Sequence, residues 1–174
     1  GFNVFLDLKF HDIPHQVEGA AASAVLSGAD MLTMHAVGGS AMMAAGHRGA
    51  EAAAFERKVP VPATLAITVL TSMDAESLAA TGVSRALPEQ VSSLAVQARK
   101  AGLSGIVCSP QEASSMRELL GPDAFIVTPG VRPAGSAKGD QSRVATPAQA
   151  FENGASHIVV GRPITQAEDP VAAF

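Results

Sequence analysis

Apolar residues recur along the chain in short consecutive runs, at positions 4–8, 31–35, 63–69, 105–108, 124–127 and 157–160. Runs of this length with β-favouring residues predict strands. They are apolar on successive residues rather than on alternate ones, as expected of parallel strands covered on both faces. The intervening segments 14–27, 39–54, 87–101, 110–120 and 146–153 have helical composition, with glycines at several of their ends. Six successive βα units follow, and the predicted class is α/β.

A regular βα repeat fits either an open doubly wound sheet or a (β/α)8 TIM barrel. The polar positions separate the two. Asp7, Lys9, His35, Thr71, Ser109, Thr128 and Arg162 fall at or just after the carboxyl ends of the predicted strands, the rim on which barrel enzymes build their sites. An open sheet concentrates its ligand contacts at one switch point, typically behind a Gly-rich first turn, and the sequence has no G-x-G-x-x-G. A closed barrel needs eight strands and typically ~250 residues. Residues 1–174 are therefore expected to be a single (β/α) barrel domain carrying about six of the eight units and incomplete at its amino end. The two absent units are expected upstream, as a truncated or unseen segment or a separate chain. At ~25 to 30 residues per unit, the natural protein should be longer by roughly fifty to sixty residues.

Composition narrows the function classes. With 47% hydrophobic and 16% charged residues, the chain has enough apolar surface to fold. A net charge of −4 and the lack of any basic run argue against a nucleic-acid partner. Cys108 is the only cysteine; its apolar setting reads as a buried thiol and fits a reducing cytoplasm. No apolar run nears the ~18 residues of a membrane span, and nothing resembles a secretion signal.

The segment richest in chemistry is Asp7-Leu8-Lys9-Phe10-His11-Asp12-Ile13-Pro14. On a regular strand, residues i and i+2 point to one face, so Asp7 and Lys9 are expected to project together. Asp12 follows in the loop ahead of Pro14, which suits a first helical turn. Two carboxylates would thus bracket one ammonium, a fixed cation with a proton to donate. By residue type alone, a strand-end ion pair would look the same.

Other segments add phosphate and base chemistry. Gly161-Arg162-Pro163-Ile164 follows the last strand and opens a helix, where barrels often hold phosphate. Thr128-Pro129-Gly130-Val131-Arg132 leads into a stretch to Arg143 that lacks apolar anchors and reads as a mobile loop. Thr71, after the third strand, reads as a ligand contact or as a cap. His11 and His15 have the i, i+4 spacing of a metal pair, but Pro14 lies between them and no third ligand is evident, so no metal site is expected. His35 reads as a structural hydrogen-bonding residue, His47 and His157 as surface or core residues, and Met31, Met34, Met42 and Met43 as core packing.

D-L-K-F-H-D-I-P resembles the signature of the orotidine 5′-phosphate decarboxylase family, and the resemblance runs through the chain from Phe5 onward. It implies cofactor-free decarboxylation of orotidine monophosphate to uridine monophosphate in pyrimidine biosynthesis. Lys9 would protonate C6 of the pyrimidine, and Asp7 would hold that lysine and face the departing carboxylate. Asp12 and Ile13, with Pro14 beside them, would reach the partner subunit's site, which implies a homodimer. Thr71 would contact the pyrimidine, Arg132 and Gln141 the nucleotide under a closing loop, and Gly161 and Arg162 the phosphate. The family pattern also has an Asp and a Lys on two earlier strands. Without them, residues 1–174 alone should be inactive or nearly so.

Two alternatives stay open. One is a Mg²⁺-dependent hexulose-phosphate synthase or keto-gulonate-phosphate decarboxylase of the same barrel group, against which Arg132, Gln141 and the Thr71-Ser72 pair argue. The other is a non-catalytic fragment that binds the nucleotide without turnover.

Overall fold

A computed structural model describes residues 1–132 and 145–174. The predicted strands are all present: β1 (Phe5–Phe10), β2 (Met31–His35), β3 (Ala63–Ile67), β4 (Gly105–Val107), β5 (Phe125–Thr128) and β6 (His157–Ile158). The predicted helices appear as α1 (Pro14–Leu26), α2 (Ser40–Arg57), α4 (Leu87–Lys100), α5 (Ala113–Leu120) and α6 (Pro147–Glu152). Two short helices were not expected, α3 (Ala75–Ala80) and α8 (Pro170–Ala173), while α7 (Arg162–Thr165) is the helix expected to open after the last strand. Strand order follows chain order, and the pairs β1–β2, β2–β3 and β5–β6 are parallel. The chain divides into two compact units, residues 1–68 with 91–106, and residues 69–90 with 107–174.

In the first unit, α1 begins at Pro14, whose fixed φ and missing N–H suit a first helical position. It buries Val17, Ala21, Ala24 and Val25, one face of a 3.6-residue repeat. Opposite it, α2 buries Met42, Met43, Ala45, Gly46, Gly49, Ala50, Ala53 and Ala54. These small residues let the two helices approach closely. A Cβ on Gly49 would stand 2.9 Å from the carbonyl carbon of Glu18 and 3.1 Å from its Cα, with the carbonyl oxygen nearer still. Leu32, Met34, Leu65 and Ala66 from β2 and β3 are fully buried, as parallel strands covered on both faces require. The methionine expectation holds for Met34, Met42 and Met43, which are buried, while Met31 is only partly so. His47 contacts the buried Thr64 hydroxyl through Nδ1 at 2.9 Å and Glu51 through Nε2 at 3.5 Å.

In the second unit, two helix starts carry reciprocal caps. Asp74 and Ser77 cap α3, and Thr146 and Gln149 cap α6, each pair satisfying donors that the helix start leaves over. Arg117 on α5 fastens the loop before β5. Its Nη1 donates to the carbonyls of Gly121, Pro122 and Ala124 at 2.8, 2.9 and 2.8 Å, and its Nε donates to that of Gly154 at 3.1 Å. Val131, Ala150 and Ala155 form a small core with Ile158 and Val160 against it. Cys108 is buried. No helix among the described residues is long and apolar enough to cross a membrane.

Candidate active site

The carboxyl end of β1 is not a regular strand. Phe5 pairs with Met31, Leu6 with Leu32, and Phe10 with Met34, so Asp7, Leu8 and Lys9 all stand against the single residue Thr33. A bulge of this kind re-aims side chains next to a functional site. Lys9 takes up the extra length in the left-handed region, at φ 54°, which costs a residue with a Cβ about 1–2 kcal/mol. Asp7 and Lys9 do meet, as the sequence suggests, but strand alternation is not the reason. The kink brings them together.

Thr33 stitches the kink. Its hydroxyl, fully buried on β2, accepts the Lys9 backbone N–H at 3.0 Å and donates to Asp7 Oδ1 at 2.8 Å. The other carboxylate oxygen, Oδ2, accepts from Lys9 Nζ at 2.6 Å. Asp7 is thereby fixed at both oxygens, and the ammonium is held by a short charge-assisted bond. The two side chains remain 38% and 42% exposed for Lys9 and Asp7, respectively, so the amine can be reached from solvent. Among the described residues, Asp12 does not join Asp7 as an ion-pair partner of Lys9, as the expected bracket requires. Asp12 Oδ1 accepts the adjacent Ile13 N–H at 2.7 Å, and Asp7 is the ion-pair partner of Lys9 among the described residues. Asp12 lies beyond the strand end, where its short side chain turns back on the next peptide, a common local bond for Asp. Ile13 is 63% exposed at the cap of α1.

His35 closes β2 beside this group. Its ring packs against that of His11, centroids 5.3 Å apart and tilted by 45°. The hydrogen-bonding role expected of it is not seen: no hydrogen bond reaches its side chain among the described residues, and the contact is ring on ring. Burial pulls its pKa below the ordinary value, the positive charges of His11 and Lys9 act in the same direction, and Asp7 opposes them.

In the second unit, Thr71 and Thr128 are buried after β3 and at the end of β5, and Ser109 is buried after β4. The Ser109 backbone N–H donates to the buried Glu112 carboxylate at 2.9 Å. Arg132 is also buried. Its Nη1 donates to the Val131 carbonyl at 3.0 Å, and its backbone N–H pairs with the Ala145 carbonyl at 2.9 Å. Gly161 caps α7, whose first residue is Arg162, so the expected helix start after the last strand is present. Gln141, and the loop expectation for 133–144, lie outside the described residues.

Thr33 and Glu112 carry no signal of their own in the notation of motifs, and sequence reasoning passes over both. For Thr33 one hint existed, a lone hydroxyl residue at the centre of the apolar run Met31-Leu32-Thr33-Met34.

Successive βα units, with an ion-paired lysine where the first strand ends, are the arrangement of an α/β-barrel protein. A model of the "Orotidine 5'-phosphate decarboxylase / HUMPS family" matches residues 1–174, and the chain belongs to that family. Relatives named orotidine 5′-phosphate decarboxylase include one from Moorella thermoacetica, 56% identical over 99% of this chain and 69% of its own length. Another, from Cutibacterium acnes, is 53% identical over 100% of this chain and 72% of its own. Among solved structures, the orotidine 5′-phosphate decarboxylase of Lactobacillus acidophilus superposes with a TM-score of 0.85 at 42% identity, covering 99% of this chain and 72% of that one. The fold class is the TIM barrel of these proteins, with six βα units in this chain.

Proposed function

We propose that the protein decarboxylates orotidine 5′-monophosphate to uridine 5′-monophosphate without a cofactor, with Lys9 as the proton donor. The observation that carries this reading is the half-exposed Lys9 ammonium, clamped on Asp7 at 2.6 Å by a kink that a buried hydroxyl supports. In the reaction, the bond from C6 to the carboxylate breaks and carbon dioxide leaves. The electron pair stays at C6 in the ring plane, out of reach of the ring's π system. A preplaced positive charge can stabilise it there. The Lys9 ammonium supplies that charge and then its proton to C6, and solvent restores the proton to the amine. Asp7 aims the ammonium and faces the departing carboxylate.

The remaining roles are those that the resemblance of the motifs implies. Asp12, Ile13 and Pro14 serve the site of a second copy in a homodimer. The bond of Asp12 to the Ile13 N–H, with Asp7 as the ion-pair partner of Lys9 among the described residues, and the exposure of Ile13 support that reading. Thr71 contacts the pyrimidine, Arg132 and Gln141 the nucleotide, and Gly161 and Arg162 the phosphate. The product feeds pyrimidine biosynthesis, in the cytoplasm.

The test is decarboxylation of orotidine monophosphate by the full-length protein and its Lys9→Ala variant, followed by loss of substrate absorbance without added metal. The variant should lose at least roughly a thousandfold in kcat while still binding uridine monophosphate. A variant that keeps wild-type turnover would remove Lys9 from the mechanism.

A further inference from the structure

We infer that Thr33 is a positioning residue for decarboxylation, acting through Lys9 and Asp7 without touching the substrate. This rests on the role proposed for Lys9. One hydroxyl performs two tasks: it accepts the backbone N–H of Lys9 at 3.0 Å, and it donates to Asp7 Oδ1 at 2.8 Å. The first bond pins the peptide that places Lys9 at φ 54°. The second leaves Asp7 one oxygen, Oδ2, aimed at Lys9 Nζ. A hydroxyl has one proton to give and lone pairs to accept with, so both tasks can be met at once. With the proton committed to the carboxylate, the Lys9 N–H must be the group that it accepts. The residue is fully buried, so water cannot easily replace the hydroxyl if it is removed.

No neighbouring strand position offers a substitute. Leu32 and Met34 flank Thr33 on β2, and both side chains are apolar and fully buried. Removing the hydroxyl therefore releases both the amine's backbone and the carboxylate that aims it. Misplacement by about an ångström from a change outside the reacting atoms can cost on the order of a hundredfold in rate.

The experiment compares Thr33→Val, Thr33→Ala and Thr33→Ser in the full-length protein, with Lys9→Ala in parallel. Thr33→Val keeps the shape and removes the hydroxyl. Thr33→Ala and Thr33→Ser share the lost methyl group, so the hydroxyl alone distinguishes them. Expected is a fall in kcat of roughly ten- to a hundredfold for Val and Ala, with KM within about threefold and Ser close to wild type. Folding is checked by circular dichroism, and if the Val variant does not fold, the Ala and Ser pair decides. Equal losses in Ala and Ser, or wild-type kcat in either Val or Ala, would overturn the inference. Activity retained in Lys9→Ala would instead strike the Lys9 reading itself, so the two failures are told apart.

Discussion

Two glycines on facing helices of the first unit should respond in opposite ways to the same substitution. On intrinsic propensity alone, Gly→Ala inside a helix stabilises by about 1 kcal/mol, because alanine loses less backbone entropy on folding. Gly19 on α1 is exposed, and a Cβ there would meet nothing within 4 Å. Gly19→Ala should therefore gain about 0.5–1 kcal/mol. Gly49 on α2 is buried, and its added Cβ would lie 2.9 Å from the Glu18 carbonyl carbon and 3.1 Å from its Cα. Comfortable carbon contacts begin near ~3.5 Å, so α1 must retreat by at least about half an ångström. The obstructing atoms are backbone, not the tip of a flexible side chain, and a rigid helix has to move as a whole. Overpacking costs about 1–3 kcal/mol, here near the upper end. After the propensity gain, Gly49→Ala should lose about 1–2 kcal/mol. At about 2–4 °C per kcal/mol for a chain of this size, its Tm should fall by roughly 2–8 °C while that of Gly19→Ala rises by about 1–4 °C. Thermal unfolding followed by circular dichroism, with urea titration as a second measure, reads both. Shifts of the same sign would refute the close-packing account of α1 and α2.

Two further perturbations probe other parts of the molecule. Arg117→Met removes the donor shared by four carbonyls. Hydrogen bonds from a charged group contribute about 1.5–3 kcal/mol and exposed carbonyls partly regain water, so the net loss should be about 2–3 kcal/mol; a urea titration showing no change would contradict that role. The second is pH. His35 has its pKa lowered below 6.5 by burial first, then by the charges of His11 and Lys9. The folded state thus prefers the neutral ring. Its stabilising contribution is complete above the unfolded value and is lost as pH falls from there through the lowered folded value. Tm should drop between about pH 7.5 and pH 5, and less steeply in His35→Gln. Identical slopes in the two proteins would show that some other group sets the acid limb.

Much of this architecture can be read from residue order because parallel strands write themselves as consecutive apolar runs. Met31–His35 matches its predicted bounds outright. Elsewhere the runs misplace ends by a residue or two. β6 stops at Ile158 although Val159 and Val160 are as apolar as the strand itself, since pairing, not hydrophobicity, ends a strand. The unexpected helices α3 and α8 have only six and four residues, too short to show a helical period. In the site, the pairing of Asp7 with Lys9 was legible from their spacing, but its cause was not. Strand alternation assumes a regular ladder, and the ladder breaks at the residues concerned. The local bond of Asp12 was not legible either: its Oδ1 accepts the next N–H, and composition cannot say which of several nearby donors a short side chain will choose. His35 was expected to hydrogen-bond because polar residues near strand ends usually do, yet its neighbour is another imidazole.

The bulge in β1 makes the amine hostage to registry. Its supporting oxygen belongs to a different strand, so Lys9 acquires its bearing only after β1 and β2 have docked in the right frame. A slip by one residue would set Leu32 or Met34 opposite the kink, and neither can hold it. With Lys9 as the proton donor proposed above, turnover becomes a sensitive gauge of correct strand alignment, one that a misassembled chain with normal helix content would fail.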